Sequence, residues 1–275
     1  MEQGDDFESV RRDSDPIRRG QRATSLLTLY QQRATELARL RKAAIEEAHT
    51  EGGMSYTAIA EALGLTKGRI TQIRSTAPGP ERAFFGVGPV AVGVPYRYQT
   101  TDRERPLIAA EDAKTADQLD EILDGLSLTS ARYEIEPERD EIPSGDVVVV
   151  CGPKSAPIGA NLLAADPMLG MVEDAGRWWV EHEKTGERYG SPSDDKAPTS
   201  ADVAYVARHK RDGRVVVHIA GIHGIGSLGA VHYLTTNLAD TFHKAGDESF
   251  SLVVRASYDG LTITGSELAA GPYVW

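Results

Sequence analysis

The stretch from Ser55 to Arg74 constrains the fold of this chain most strongly, because it predicts two short helices joined by a tight turn. Apolar residues recur at helical spacing in its first half. Gly64 stands at the junction, where a left-handed backbone costs glycine nothing. Ser55 and Thr66 precede the two helices, and serine and threonine cap helices by accepting a backbone N–H. The pattern therefore predicts a compact helical pair.

The second helix of this pair carries its polar side chains outward. Ile70 and Ile73 face the core, which leaves basic, hydroxyl and amide groups on the other side. Arginine and glutamine read base edges, and basic side chains bind phosphates. We expect contacts with double-stranded DNA from Ser55, Tyr56, Thr66, Lys67, Arg69, Thr71, Gln72 and Arg74. The alternative is a helical hairpin without a DNA role.

The segment AIAEALGLTKGRITQIR resembles the helix-turn-helix of bacterial transcription factors and is closest to region 4 of sigma factors, which reads promoters. The resemblance covers residues 34–76. It implies that the second helix enters the major groove. Nothing similar to the other sigma regions precedes it, and a large segment follows it. The chain is therefore interpreted as a regulator rather than as a sigma factor.

Charge separates this region from the rest of the chain. The net charge is −11, with 40% hydrophobic and 26% charged residues. Residues 17–75 contain ten Lys and Arg against five Asp and Glu, a net charge of +5. Residues 84–275 contain 17 against 29, a net charge of −12. This asymmetry predicts that the DNA-facing surface lies in the N-terminal part.

Composition also indicates the cellular compartment of the protein. No apolar run approaches the roughly 20 residues of a membrane span. The N-terminus is acidic and polar, unlike a secretory signal, and Cys151, the one cysteine, has no partner for an internal disulfide. These features predict a cytoplasmic protein that does not contact membranes.

Changes of pattern divide the chain into four segments. Residues 1–16 mix acids and bases with few apolar groups, which predicts a disordered tail. Residues 17–76 form the predicted all-α helix-turn-helix domain, and the proline-rich residues 77–83 form a linker. Within the domain, an apolar segment at 24–30 precedes an amphipathic helix. That segment either completes the domain core or mediates dimerisation, and the sequence leaves both open. Residues 84–275 form the C-terminal domain.

The C-terminal segment alternates apolar strands with helices, which predicts a Rossmann-like α/β domain with a mixed sheet. The apolar run 146–151 is typical of a strand buried on both faces. Hairpin signals at 184–186 and 210–213 indicate antiparallel strands in the middle of the domain. We expect this domain to sense a ligand or to assemble the protein into a homodimer or higher oligomer.

Two strand-to-helix junctions of this domain are candidate ligand sites. The first has a Gly-Pro turn followed by Lys154 and Ser155, groups suited to an anion, although a plain turn explains them equally well. The second, residues 221–229, has the G-x-G-x-x-G pattern of dinucleotide-binding proteins, and tight packing without a ligand is its alternative. The residues expected at a nucleotide-like ligand are Gly152, Pro153, Lys154, Ser155, Asn161, Gly221, His223, Gly224, Gly226 and Ser227.

The glycines of the second junction have separate expected roles. Gly224 makes the tight turn, Gly226 admits a phosphate close to the backbone, and Gly229 lets helix and strand approach each other. If both junctions lie at the carboxyl ends of neighbouring strands, they face one crevice.

No residue pattern supports covalent or metal chemistry. Cys151 is expected to be a small core hydrophobe, and the histidines lack metal-ligand spacing. Asp194 and Asp195 are expected to be solvated. The sequence therefore predicts no catalytic residue and no metal site.

Two functional hypotheses remain. The preferred one is a one-component transcriptional regulator whose C-terminal domain senses a nucleotide-like ligand, oligomerises, or does both. The alternative is a nucleotide-processing enzyme, acting on an N-glycosidic bond or an NAD-type substrate, fused to a DNA-binding domain. The C-terminal part distantly resembles the Rossmann-like group that includes deoxyribosyltransferases and nucleotide-sensing domains. That resemblance implies a carboxylate acting on a sugar, and the sequence places none.

Overall fold

An N-terminal helical region precedes a mixed sheet flanked by helices in the computed structural model, which describes residues 3–100 and 103–275. The helices are α1 (Gln3–Arg12), α2 (Pro16–Thr50), α3 (Tyr56–Ala62), α4 (Lys67–Thr76), α5 (Ala110–Gly125), α6 (Pro157–Leu163) and α7 (Gly224–Ala245). The strands are β1 (Val90–Thr100), β2 (Glu104–Ile108), β3 (Ser130–Ile135), β4 (Asp146–Val150), β5 (Leu169–Asp174), β6 (Arg177–His182), β7 (Arg188–Gly190), β8 (Ala201–Arg211), β9 (Arg214–Gly221), β10 (Phe250–Asp259) and β11 (Thr262–Val274).

Helix α1 lies in the segment 1–16 that was predicted to be disordered, so that prediction is wrong for residues 3–12; residues 1–2 lie outside the described residues. The ring of Phe7 lies 5.5 Å from that of Tyr30 on α2. Short helices are marginal in water without such packing. The contact with a distant residue, which composition does not reveal, therefore accounts for the helix.

Helix α2 is one continuous helix of 35 residues, where the sequence indicated two separate segments. The Asp15 carboxylate accepts the backbone N–H groups of Ile17 and Arg18, and proline occupies the first helical position, which suits it. At 1.5 Å per residue the helix is about 52 Å long. Its apolar segment 24–30 packs beside α1 through Tyr30 and does not enter the core of α3 and α4.

Helices α2, α3 and α4 share a small apolar core. Its buried members are Ile45 of α2, Ile59 and Ala60 of α3, and Ile70 and Ile73 of α4. These are the inward positions that helical spacing predicts for α3 and α4. The predicted helical pair is thus present and packs on the C-terminal third of α2.

The segment predicted to be a linker is packed rather than exposed in its last part. A 3₁₀ turn covers Pro80–Phe85, and Arg82 within it is 0% exposed. Arg82 donates hydrogen bonds to Gln32 (2.9 Å) and Glu36 (3.1 Å) of α2 and to the carbonyl of Val87 (2.9 Å). The turn therefore fastens the middle of α2 to the sheet domain.

The large sheet combines parallel and antiparallel strands, as the sequence predicts. Its order is β11-β10-β8-β9-β4-β1-β2, and β3 also pairs with β1. Strands β3, β1, β4 and β9 are parallel, whereas β8, β10 and β11 add antiparallel pairs. Every residue of β4 is buried, which confirms the expectation for the apolar run. Strands β5, β6 and β7 form a separate antiparallel sheet.

Both faces of the large sheet are covered. On one face, Leu119 of α5, Leu234 of α7 and Val148 of β4 belong to one apolar cluster. On the other, Ile158 of α6 packs against β4, and the small sheet packs against β8. In the part of the chain that the structure describes, no helix is long and apolar enough to cross a membrane.

The main difference from the sequence analysis lies between β1 and α5. The sequence predicts mostly loop over residues 100–113, whereas strand β1 continues to Thr100 and pairs with β2 over Glu104–Ile108. Helix α5 begins at Ala110 and therefore brings Glu111 and Asp112 into its first turn. This shift adds charged residues to one edge of the sheet.

Candidate functional site

The turn between α3 and α4 has the local geometry that the sequence predicts. Ser55 accepts the backbone N–H of Ala58 (3.2 Å), and Thr66 accepts that of Arg69 (3.2 Å), so both residues cap their helices. Gly64 has a φ of 65°, the left-handed conformation that glycine adopts without strain. Capping and turn together fix the angle at which α4 leaves α3.

The outer face of α4 is polar and exposed. Lys67, Arg69, Thr71 and Gln72 are all exposed. Arg69 Nη1 donates to Gln72 Oε1 at 2.7 Å, which holds a guanidinium and an amide side by side on the surface. Four of the predicted DNA contacts therefore form one continuous surface.

Two other predicted DNA contacts have an internal role instead. Arg74 donates to Glu46 at 2.7 Å, and its guanidinium lies 4.2 Å from the centre of the Tyr56 ring. The Tyr56 hydroxyl also donates to Glu46 (3.4 Å), and the ring stacks on His49. The hydrogen bond from Arg74 lowers the pKa of Glu46. These side chains hold α3 and α4 against α2. The helical spacing within α4 placed Arg74 on the outer face, and it could not reveal the contact with Glu46 on another helix.

A crevice of about 440 Å³ lies where the parallel strands β1, β4 and β9 end at their carboxyl edge. Both predicted junctions open into it, as expected if they follow neighbouring strands. The predicted ligand residues that line it are Gly152, Lys154, Ser155, Gly221, His223, Gly224 and Ser227. Pro153, Asn161 and Gly226 do not line it. Asn161 is exposed within α6, so its assignment to the crevice is wrong.

Lys154 joins the two junctions. Its Nζ donates to the carbonyl of Ile222 at 2.8 Å and lies 5.4 Å from the centre of the Trp178 ring. The side chain thus bridges the loop after β4 and the loop after β9 while its ammonium remains at the crevice. Helix α6 has only seven residues, so at the junction after β4 the positive charge comes from Lys154 and not from the helix start.

The glycine loop before α7 is shaped mainly by packing. A Cβ on Gly226 would lie 2.6 Å from Asp202 Oδ2, and one on Gly229 would lie 2.3 Å from the Ala256 Cβ. Gly229 therefore permits the close approach of helix and strand, as expected. Gly226 faces β8 rather than the crevice, so the phosphate role expected of it does not fit. Gly224 instead lies at the crevice.

Ser227 and His223 order this loop. Ser227 Oγ accepts the backbone N–H of Gly221 at 2.9 Å. The backbone N–H of His223 donates to Asp202 (3.0 Å), and its ring Nε2 shares a hydrogen bond with Asp194 (2.9 Å). Burial raises the pKa of Asp202. Asp194, expected to be solvated, thus fixes the ring that stands at the start of α7.

Three crevice residues escaped the sequence analysis: Arg97, Glu111 and Asp112. Arg97 comes from β1, whereas Glu111 and Asp112 come from the start of α5, within the residues 100–113 that the sequence predicts to be mostly loop. Burial raises the pKa of Asp112 to about 6, Glu111 adds to the increase, and the charge of Arg97 opposes it. The alternation of residues 96–99 could have placed Arg97 on a strand, but it does not point to Glu111 or Asp112.

Cys151 was expected to lie in the core, and the histidines were expected not to form a metal site. Cys151 is 2% exposed, and burial raises the pKa of its thiol to about 12, so it stays protonated as expected of a core residue. His218 is buried beside it and shares a hydrogen bond with its carbonyl (2.7 Å). Residues 3–100 and 103–275 contain no group of three side chains suited to hold a metal ion.

Comparison with known proteins adds no assignment. No known protein family, no curated protein and no solved structure matches this chain. Function is therefore inferred from the exposed face of α4 and from the crevice.

Proposed function

We propose that this protein is a DNA-binding transcriptional regulator in which α3 and α4 form a helix-turn-helix. The observation that carries the proposal is the division of α4 into two faces. Ile70 and Ile73 are buried, whereas Lys67, Arg69 and Gln72 are exposed on the opposite side. A helix of ten residues, about 15 Å long, fits the major groove.

The side chains on this face suit different parts of DNA. Arginine pairs with guanine and glutamine with adenine through two hydrogen bonds each, which assigns base reading to Arg69 and Gln72. Lys67, at the start of α4, is assigned to a backbone phosphate. The net charge of +5 over residues 17–75 favours approach to DNA from this side.

Selection from a library of random duplexes by the full-length protein tests the DNA role. We expect one enriched motif and an affinity that decreases with salt, because phosphate contacts release counterions. We also propose that the protein binds as a homodimer, so the motif should be an inverted repeat with half-sites about 34 Å apart. A single half-site would contradict the dimer, and the absence of any enriched motif would contradict the DNA role.

For the C-terminal part we propose a Rossmann-like domain that senses a nucleotide-like ligand bearing a phosphate. Ligands of open α/β sheets bind beyond the carboxyl ends of the strands, where this crevice lies. The 22-residue helix α7 begins there, and its first backbone N–H groups have no partner within the helix. Lys154 adds a positive charge at the same edge. This combination suits a phosphate.

Isothermal titration with pyrophosphate tests the ligand site. Lys154→Ala should weaken binding at least tenfold, whereas Lys196→Ala, an exposed lysine outside the crevice, should leave it unchanged. Sensing further requires that the ligand bind the DNA-competent state with a different affinity. An unchanged affinity for the selected duplex with bound pyrophosphate and with each common nucleotide would contradict sensing and leave DNA binding intact.

One observation favours the enzyme alternative. The buried Asp112 carboxylate stands in the crevice, where a nucleotide-processing enzyme needs an acid and where the sequence placed none. Under this alternative the purified protein hydrolyses or transfers the N-glycosidic bond of NAD or of a nucleoside, and Asp112→Asn abolishes turnover. Chromatography that detects no released base from either substrate would exclude it.

A further inference from the structure

Asp112 is a nearly buried acid that interacts with the charge of Arg97 but is not held in place by hydrogen bonds. The residue is 6% exposed and lines the crevice from the first turn of α5. Its side chain makes no hydrogen bond to any residue within 3–100 and 103–275. Buried polar groups in proteins are almost always hydrogen-bonded, and an unpaired buried charge is costly. The Asp112 oxygens are not among the fully buried polar atoms without a partner, so the crevice is the side from which a ligand can supply donors.

The charged groups around Asp112 define what such a donor can be. Arg97 of β1 and Glu111 of α5 line the same part of the crevice, and Lys154 lines it from the loop after β4. Two acids thus stand with two bases, so the crevice is close to neutral. Because the acidic and basic side chains already balance, a neutral ligand group with O–H donors fits beside Asp112 better than a positively charged group. Burial already disfavours the charged form of the carboxylate, as its raised pKa shows.

Asp112 and the proposed phosphate position belong to one crevice but to different walls. Gly224 at the start of α7 adjoins Glu111, since a Cβ on Gly224 would lie 3.3 Å from the Glu111 Cβ. The starts of α5 and α7 are therefore neighbours. A phosphate beside Asp112 or Glu111 would be repelled by the carboxylate, whereas Lys154 and the backbone N–H groups at the start of α7 attract it. One ligand can occupy both positions only if a neutral portion faces Asp112.

We propose that Asp112 accepts hydrogen bonds from the sugar hydroxyls of a nucleotide whose phosphate lies against Lys154 and the start of α7. The inference rests on the proposed ligand site and specifies its ligand class as a ribonucleotide rather than a bare phosphate compound. Two adjacent hydroxyls satisfy both oxygens of one carboxylate. The acid comes from α5, not from the strand after the glycine loop where dinucleotide-binding proteins carry it.

Isothermal titration with three probes, namely ADP, 2′-deoxy-ADP and pyrophosphate, tests this subsite. The wild type should bind ADP about tenfold more tightly than 2′-deoxy-ADP, the ratio expected for one hydrogen bond to a charged group. Asp112→Asn should remove that ratio and leave the pyrophosphate affinity equal or higher. Glu121→Gln, an exposed acid on the same helix, is the matched control and should behave as wild type. Thermal melting of each variant checks that it is folded.

Each other outcome overturns the proposal. If Asp112→Asn keeps the discrimination between ADP and 2′-deoxy-ADP, the carboxylate does not contact the sugar. If it weakens all three probes equally, Asp112 acts through the shape of the crevice. If the wild type binds pyrophosphate without preferring ADP, the sugar subsite fails while the proposed phosphate site stands. If no probe binds, the ligand site itself fails and the subsite with it.

Discussion

On the outer face of α4, Lys67, Arg69 and Gln72 extend into solvent, whereas the sheet domain buries comparable side chains. Arg208 is 1% exposed and donates to the carbonyl of Ala83 at 2.9 Å. Arginine therefore stabilises the interior of the sheet domain, whereas on α4 it lies at the surface. Arg69 and Gln72 bond to each other at the surface and not to the protein core, so both can still contact another molecule.

The two regions also differ in the size of their cores. Five buried apolar residues hold α3 and α4 on α2, while the sheet domain packs apolar side chains on both faces of its large sheet. A small core has few contacts to lose, so local unfolding should begin there. We therefore expect the sheet domain to be more stable than the unit formed by α3, α4 and the end of α2.

The largest expected effect is at the junction between the regions. Arg82→Met removes the hydrogen bonds from the 3₁₀ turn to Gln32 and Glu36 of α2 and the one to the carbonyl of Val87, and these acceptors lose their donor. Breaking a buried ion pair costs about 3–5 kcal/mol. Urea denaturation should show this loss in the free energy of unfolding. The exposed pair of Arg132 with Asp117 supplies the control, because Arg132→Met should cost under about 1 kcal/mol. Equal losses in both variants would show that Arg82 does not fasten the two regions.

The next effect separates the two cores. Ile70→Ala should cost about 2–4 kcal/mol, because the side chain is 1% exposed and the small core cannot refill the cavity. Hydrogen exchange should lose protection in α3 and α4 and keep it in β4 and β9. Thr71→Ala, one position along on the exposed face, should change little. Equal loss of protection throughout the chain would refute the separation of the two cores.

The smallest effect has the opposite sign and depends on pH. The pKa of Asp112 is raised from 3.8 to about 6, so the folded state holds this proton more tightly than the unfolded state. Stability contributed by the protonated form is therefore lost as pH rises from about 4 to 6. Asp112→Asn cannot titrate and should be more stable than wild type by roughly 2 kcal/mol at pH 7, with no advantage near pH 4.

Denaturation midpoints of both proteins between pH 4 and 7 measure that difference. Glu121→Gln is again the control, and its difference from wild type should not change over the range. A constant offset for Asp112→Asn would show that its carboxylate is not stabilised in the neutral form by burial.

The helical pair was predictable because its determinants are local. Ser55, Gly64 and Thr66 act within a few residues of their own position, so spacing alone identified the caps and the turn. The role of Arg74 was not predictable, because it depends on Glu46, which lies 28 residues away on α2. The same holds for α1, whose partner Tyr30 is distant in sequence.

The crevice was predictable only in part. The apolar run of β4 and the glycine loop indicated two strand ends, and their parallel pairing brings them together. Asp112 and Arg97 were missed because their contribution depends on the hairpin of β1 and β2, which has no strong turn signal. Gly226 was misjudged because a glycine needed for packing against Asp202 looks the same in sequence as one needed for a phosphate.

The central claim is that the exposed face of α4 reads DNA bases, and one equilibrium measurement tests it most directly. Fluorescence anisotropy at fixed salt should compare a selected duplex with a scrambled one for the wild type and for the double variant Arg69→Ala, Gln72→Ala. The account predicts that the double variant stays folded and loses the preference for the selected duplex, by at least tenfold since each base pairing contributes about 1–3 kcal/mol. Arg132→Ala, on the sheet domain, should keep it. An unchanged preference in the double variant would contradict the account.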